Sequence, residues 1–444
     1  MSLARQLVKD SGWVLLARVG GVVVGLLFYS LITRTLPTDE VGSYFLAYAI
    51  ALVLSTLAGL GLPKTCTRLI ALAKTKQSAG SISGILSSSI CLTIGGAILT
   101  AIIFMTPTSR DIFSTLFSSL QTYQITWLIV VWMFLLSIRQ LLAESFRGLG
   151  NIKLASIFGG LVGNSVGLSI LAVAIAFKIS PIDLKDCVTY TTSGLLISCL
   201  ISILLLLKDR HGGDKSETPT YTSILAISTP IWITETAQIA ITHSNTWIVG
   251  ALSDTTQVAL FGTAMQLVIL VSFPLIVINS AIPHLVVKLN ASSDKVRLSN
   301  LLQTVATVSF IPAAAVVLLI AVFGAQVLEF VYGASYRAGA PVLLILAIGN
   351  LINVIAGPCG VVLIMTGHQK KNMILTVLTG AGSIPIALWL TPQYGAIGAA
   401  FAASLGIAVQ NTLASIYAYK TLGVRTHITS SGDTLKSLLE FKLT

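Results

Sequence analysis

Apolar texture runs through this 444-residue chain from end to end, interrupted at regular intervals by short basic loops. Twelve stretches are long and apolar enough to cross a bilayer, at about 12–33, 41–63, 81–105, 124–147, 154–177, 187–207, 222–249, 256–285, 298–323, 340–365, 373–391 and 394–418. Each supplies the roughly 20 apolar residues that a hydrocarbon core of about 30 Å demands of a helix. Only 10% of residues are charged, well below the roughly 25% of soluble domains. The sequence therefore predicts an all-α polytopic membrane protein, with its function in a pore, a cavity or a membrane-embedded site.

The loops set an orientation. Twenty Lys and Arg residues fall on one set of alternate loops and the termini, from Arg5 and Lys9 through Lys64, Arg68, Arg147 and Lys153 to Arg425 and Lys442. The other set holds five: Arg34, Arg110, Lys178, Lys185 and Arg337. The positive-inside rule then places both termini in the cytoplasm, on one side as an even number of spans requires. The net charge of +11 implies contact with anionic lipid head groups, not nucleic acid. Arg5 and Lys9 precede a first span that is expected to be retained, since no small-x-small cleavage site follows. Cys66, Cys91, Cys187, Cys199 and Cys359 lack metal or redox spacing and read as apolar filler. No nucleotide loop, HExxH or GxSxG motif is present. No catalytic, metal or cofactor site is read, so the chain is not expected to be an enzyme.

The hydrophilic segment Lys208 to Thr220 divides two similar halves. Val41-Gly42-Ser43-Tyr44-Phe45 after span one is echoed by Val258-Ala259-Leu260-Phe261-Gly262 after span seven, 217 positions later. The same offset carries Gly150-Asn151-Ile152-Lys153 onto Gly367-His368-Gln369-Lys370. The predicted organisation is an N-terminal six-helix lobe (1–207), a cytoplasmic linker (208–221), a C-terminal six-helix lobe (222–418) and a cytoplasmic tail (419–444). Equal orientation of the halves implies an axis along the membrane normal and a central cavity suited to alternating access. The outer loop near 106–123 reads as an interfacial helix, with Ile112, Phe113, Leu116, Phe117 and Leu120 at helical spacing.

Ionisable groups at membrane depth are costly and face a cavity or one another. Arg18 lies roughly 9 Å, and Arg139 roughly 12 Å, from the cytoplasmic ends of their spans at 1.5 Å per residue. Together they read as a cationic shelf for an anionic substrate, because guanidinium groups bind phosphate through forked, charge-assisted hydrogen bonds. The competing reading is snorkelling of Arg18 and neutralisation of Arg139 by Glu144. On span seven, Glu235, Gln238, Thr242 and Asn245 make one helical stripe that would accept sugar hydroxyls, with His243 beside it. Such a stripe also serves as interhelical packing glue, and Glu235 could carry a coupling H+ or Na+. Gly20, Gly21 and Gly25, and Gly159, Gly160, Gly163 and Gly167, form small faces for close helix approach. Pro230, Pro274 and Pro358 are expected to kink their spans.

Thr33 to Tyr44 (TRTLPTDEVGSY) resembles a loop of the polysaccharide flippases (O-antigen or capsule type) of the multidrug/oligosaccharidyl-lipid/polysaccharide (MOP) exporter superfamily. Those proteins often read Arg-x-Leu-Gly-Pro, two acidic or polar residues, an aromatic, then Gly and an aromatic. Arg34, Leu36, Asp39, Glu40, Gly42 and Tyr44 match that pattern, while Pro37, Thr38 and Val41 depart from it. Gly59-Leu60-Gly61-Leu62-Pro63 with Arg68 resembles the end of the family's second span, and Arg147-Gly148 its loop after span four. The resemblance implies a MATE-like fold, two six-helix lobes around a cationic central cavity. It also implies transport of a polyprenyl-pyrophosphate-linked oligosaccharide across the membrane for surface polysaccharide biosynthesis, with Arg34, Arg68 and Arg147 as gating or loop residues. Polysaccharide polymerase machinery would be a partner. A MATE-type cation-coupled drug antiporter is the alternative, and a membrane glycan polymerase or ligase, for which the outer loops are too short, is a further one.

Overall fold

The computed structural model describes residues 3–75, 79–107, 125–177, 181–208, 220–292 and 294–429. The expected interfacial helix near 106–123 and nearly all of the linker fall outside them, as does the tail beyond residue 429. Every regular element among the described residues is helical, and twelve stretches are long and apolar enough to cross a membrane. The chain is all-α. It forms two compact units, Met1–His243 and Ser244–Thr444.

The first unit opens with α1 (Leu3–Thr35) and α2 (Thr38–Gly59), and α2 breaks at Leu60–Gly61 into α3 (Leu62–Thr75). Then come α4 (Ala79–Phe104) and α5 (Thr126–Gly148). The next span is composite: α6 (Ile152–Ser156), a π-helical turn (Ile157–Leu161) and α7 (Val162–Ala176). Helix α8 (Leu184–Lys208) follows, and α9 (Tyr221–Leu252) contains the division between the units. The second unit continues with α10 (Thr255–Ala281), α11 (Pro283–Ala291), α12 (Lys295–Tyr332) and a 3-10 turn (Ala334–Gly339). It ends with α13 (Ala340–Ala356), α14 (Cys359–Met365), α15 (Gln369–Tyr394) and α16 (Ala396–Leu422). The expected kink at Pro358 is a full break between α13 and α14, whereas α9 and α10 run on past Pro230 and Pro274.

Large apolar side chains line the outside. On α4 alone Ile94, Ile98, Leu99, Ile102 and Ile103 are exposed. Such a surface is stable only against lipid, where the backbone must be satisfied within helices. Inside the first unit, Trp132 and Tyr44 are fully buried with ring centroids 5.4 Å apart, and the Tyr44 hydroxyl lies 3.1 Å from Thr191 Oγ1.

The 217-residue offset reappears as backbone structure. Helix α2 begins at Thr38 and α10 at Thr255; α5 ends at Gly148 and α14 at Met365; α6 begins at Ile152 and α15 at Gln369. The turn after α5 carries Gly150 at φ +80° and bonds Asn151 N to Phe146 O at 2.9 Å. Its counterpart carries Gly367 at φ +85° and bonds His368 N to Leu363 O at 2.8 Å. Both are the glycine-dependent helix end in which the chain turns back through a left-handed residue. Glu40 and Gln257 are also equivalent. Glu40 Oε2 accepts from Leu184 N at 2.9 Å at the start of α8, and Gln257 Oε1 accepts from Ala396 N at 3.0 Å at the start of α16. Each satisfies one of the orphan N–H groups at a helix start, of α8 and of α16.

Candidate functional site

Arg139 sits on α5 opposite the π-helical turn. A π turn adds one residue to a helix and leaves a backbone carbonyl over. Here Val162 N–H bonds Ile157 O, five residues back, and Gly160 departs from helical geometry. The Gly159 carbonyl accepts from Arg139 Nη1. Arg139 Nε is enclosed and makes no hydrogen bond among the described residues. The guanidinium is thus held at one corner, with donors to spare. Glu144, the expected neutralising partner, is engaged elsewhere: it pairs with Arg147, and its Oε2 accepts from Thr67 Oγ1 at 2.9 Å. Arg139 and Glu144 are five residues apart and so lie on different faces of α5, whereas Glu144 and Arg147 are at i,i+3.

Arg18 is exposed on α1 and makes no hydrogen bond or ion pair to another described residue. The α1 small face is not the close-packed surface its glycines suggest. A Cβ at Gly21 or Gly25 would meet nothing within 4 Å, whereas one at Gly20 would stand 3.3 Å from the Leu161 side chain. Leu161 ends the π turn, so α1 packs on the same turn that Arg139 grips. The small face of the fifth span is partly used. Gly163 and Gly167 meet Gly194 of α8 so closely that a Cβ on Gly194 would fall 2.5 Å from Gly163 O. Gly159 and Gly160 instead belong to the π turn.

The polar stripe of α9 divides into separate environments. Glu235 Oε1 is 2.9 Å from Lys64 Nζ on α3, with side-chain exposures of 15% and 63%. Two more contacts hold α9 to the break between α2 and α3. Trp232 Nε1 donates to Leu57 O at 3.1 Å, and a Cβ on Gly61 (φ +69°) would lie 2.5 Å from Ser228 O. Breaking a span frees carbonyls that need new donors, and the indole N–H supplies one. Gln238 and Thr242 are exposed, with Thr242 Oγ1 donating to Gln238 O at 2.8 Å. Asn245, in the second unit, is buried with its Oδ1 unpartnered among the described residues. Because Lys64 is largely solvated, its pair with Glu235 is worth about 1 kcal/mol or less. Glu235→Gln is therefore expected to shift thermal unfolding of the purified protein only slightly. A collapse of the fold in that variant would show that the carboxylate does more than pair with Lys64.

Arg34, Arg68 and Arg147 are all exposed. Arg147 is tied to Glu144, and nearby Lys74 Nζ donates to Leu149 O at 2.7 Å at the C-terminal end of α5. Sequence reasoning missed Lys64 as the partner of Glu235 and missed the π turn. The adjacent glycines 159–160 within a span were the available signal for the turn; nothing local signals a pair 171 positions apart in the chain, Lys64 with Glu235.

A sequence profile described as "Polysaccharide biosynthesis protein" matches residues 7–287. No curated relative matches the chain in sequence. Among solved structures it is similar to the inward-facing conformation of a multidrug resistance MATE family transporter of the MOP superfamily. That match has a TM-score of 0.78 at 14% identity, covering 91% of this chain and 94% of that one. It is also similar to the lipid II flippase MurJ in its inward closed conformation, with TM-score 0.70, 14% identity and coverage of 91% and 87%. A MOP superfamily transporter from Pyrococcus furiosus, described as having a binding pocket of reverse polarity, gives TM-score 0.65, 15% identity and coverage of 94% and 95%. At these identities the likeness establishes the fold alone, the one these transporters share.

Proposed function

The chain belongs to the polysaccharide biosynthesis protein family, and from that premise we propose that it is a flippase. It would move a polyprenyl-pyrophosphate-linked oligosaccharide across the cytoplasmic membrane by alternating access. The observation that carries this reading is Arg18: a guanidinium on a membrane-spanning helix, exposed and without a partner among the described residues. A charge at that depth needs water or a ligand, and a pyrophosphate matches both its sign and its fork geometry. Arg139, with donors unused, is the second cation. Gln238 and Thr242 supply exposed polar groups for sugar hydroxyls. The polyprenyl tail remains in lipid throughout. An inside-negative potential drives the anionic head group outward, by about 2.3 kcal/mol per charge per 100 mV, so no covalent chemistry is required. Coupling to H+ or Na+ would add to this drive, and a polymerase on the outer face would consume the delivered glycan.

The MOP fold equally hosts cation-coupled drug antiport, for which Glu235 would be the carboxylate. Its ion pair with Lys64 speaks against that use, since the site is already neutralised. Proteoliposomes carrying the purified protein decide between the two. A fluorescent polyprenyl-pyrophosphate oligosaccharide is expected to cross only in vesicles containing it. Exchange of a cationic dye for protons, with no movement of the glycolipid, would overturn the flippase reading. For the orientation, reporter fusions at Gly212 and Ser430 are expected to report cytoplasm and one at Ser109 the outside. An outside signal at Gly212 would contradict both the topology and the division into two halves.

A further inference from the structure

The fifth span carries a feature that lipid-linked glycan export does not by itself require. A π-helical turn in an otherwise α-helical span sacrifices regular hydrogen bonding, and within a membrane each unmatched backbone group is costly. Here the cost is offset by a side chain from another helix, as Arg139 Nη1 donates to Gly159 O. The arrangement competes with a phosphate, because with Nε enclosed an anion forks onto the Nη1–Nη2 edge, where Nη1 already serves Gly159 O. It is incomplete too, since Nε is enclosed with nothing to bond. A guanidinium that gives one hydrogen bond to a neutral carbonyl, with a further donor unmet, is in a weaker state than one forked onto an anion.

We propose that the Gly159 carbonyl is the resting partner of Arg139, and that a pyrophosphate head group takes the guanidinium from it, so that ligand binding resets the π-helical turn of the fifth span. The inference rests on the flippase reading and gives Arg139 a specific role within it. When the guanidinium turns to the phosphate, Gly159 O loses its donor and the turn is free to change register. The turn is not isolated. Leu161, at its end, packs on Gly20 of α1 at 3.3 Å from where a Cβ would stand, two residues from Arg18. A change of register at residues 157–161 therefore acts on the helix that carries the first cation, and the two arginines report to each other through one turn of backbone.

The neighbouring glycines provide the test. A Cβ on Gly160 would lie 3.2 Å from Arg139 Nη1, whereas one on Gly159 would meet nothing within 4 Å. Gly160→Ala should thus crowd the guanidinium and shift it by a few tenths of an ångström, and Gly159→Ala should leave it in place. The full chain in lipid nanodiscs is probed with farnesyl pyrophosphate, with farnesol as the uncharged control. Binding is followed by native mass spectrometry and amide exchange over residues 157–163 by hydrogen–deuterium mass spectrometry. A hydrogen bond to a charged donor supports a local opening free energy large enough that its loss speeds exchange roughly tenfold. That acceleration is expected in the wild type and in Gly159→Ala with farnesyl pyrophosphate, and not with farnesol. Arg139→Gln is expected to exchange fast without ligand and to respond no further, and Gly160→Ala to start from a rate between that variant and the wild type. Binding of farnesyl pyrophosphate with unchanged exchange at 157–163 would overturn the inference while leaving the flippase reading standing. So would slow exchange in ligand-free Arg139→Gln. Absence of farnesyl pyrophosphate binding in the wild type would overturn both.

Discussion

Replacing Arg18 by alanine is expected to abolish glycan export in a strain whose own gene is deleted, with protein level and membrane insertion unchanged. The guanidinium is exposed on α1 and bonds to no other described residue, so its removal orphans no partner among the described side chains. No acid stands at i±3 or i±4 on its own helix, those positions being Val14, Leu15, Gly21 and Val22. The fold therefore has little to lose. The ligand has much to lose. Charge-assisted hydrogen bonds are worth about 1.5–3 kcal/mol each, so losing a forked pair reduces occupancy by roughly a hundredfold or more. Arg18→Lys should restore part of the activity, because the charge survives and the bidentate geometry does not. Normal export by Arg18→Ala would remove Arg18 from the site. Failure of the variant to accumulate would assign it a role in folding instead.

The largest effect on stability is expected at Gly357. Its φ of +74° and ψ of −159° lie where only glycine is comfortable, at a cost of about 1–3 kcal/mol for any other residue. A Cβ there would stand 2.1 Å from Thr426 O and 2.9 Å from Ala306 Cβ. The obstructing oxygen is backbone and belongs to the strap that follows α16. That strap closes the break between α13 and α14: Thr426 Oγ1 donates to Ala356 O at 2.9 Å, and Ile428 N donates to Ile355 O at 3.1 Å. Thr429 N donates to Thr307 Oγ1 at 3.3 Å. Gly357→Ala must displace the strap and strip two carbonyls of their donors, each worth about 1–3 kcal/mol when left unmet. The combined loss exceeds about 3 kcal/mol, enough to deplete folded protein. Gly367→Ala is the control, since Gly367 has φ +85° but open space around it. It should lose only the left-handed penalty of about 1–2 kcal/mol. Thermal unfolding in nanodiscs compares them. Equal unfolding temperatures for the two variants would refute the role given to the strap.

Twelve spans, the helical class and the 217-residue repeat were legible in the sequence because each depends on local quantities. A bilayer sets a minimum length of apolar chain, hydropathy reports it residue by residue, and helix starts recur at one fixed offset, Thr38 with Thr255 and Ile152 with Gln369, even where few residues match. The turns at Gly150 and Gly367 illustrate this, since a left-handed helix end requires glycine wherever it recurs. The partners of the buried charges were another matter. Glu144 bonds Arg147 because i,i+3 puts them on one face, a local rule that also separates Glu144 from Arg139. Arg139 finds a backbone carbonyl on another helix, and Glu235 finds Lys64, through packing that no periodicity encodes. The glycine faces make the same point. The same four-residue spacing gives open space at Gly21 and Gly25 of α1 but backbone contact at Gly163 and Gly167 of the fifth span, which meet Gly194 of α8. A missing Cβ permits close approach without saying which helix comes near, and only the tertiary structure chose the neighbour.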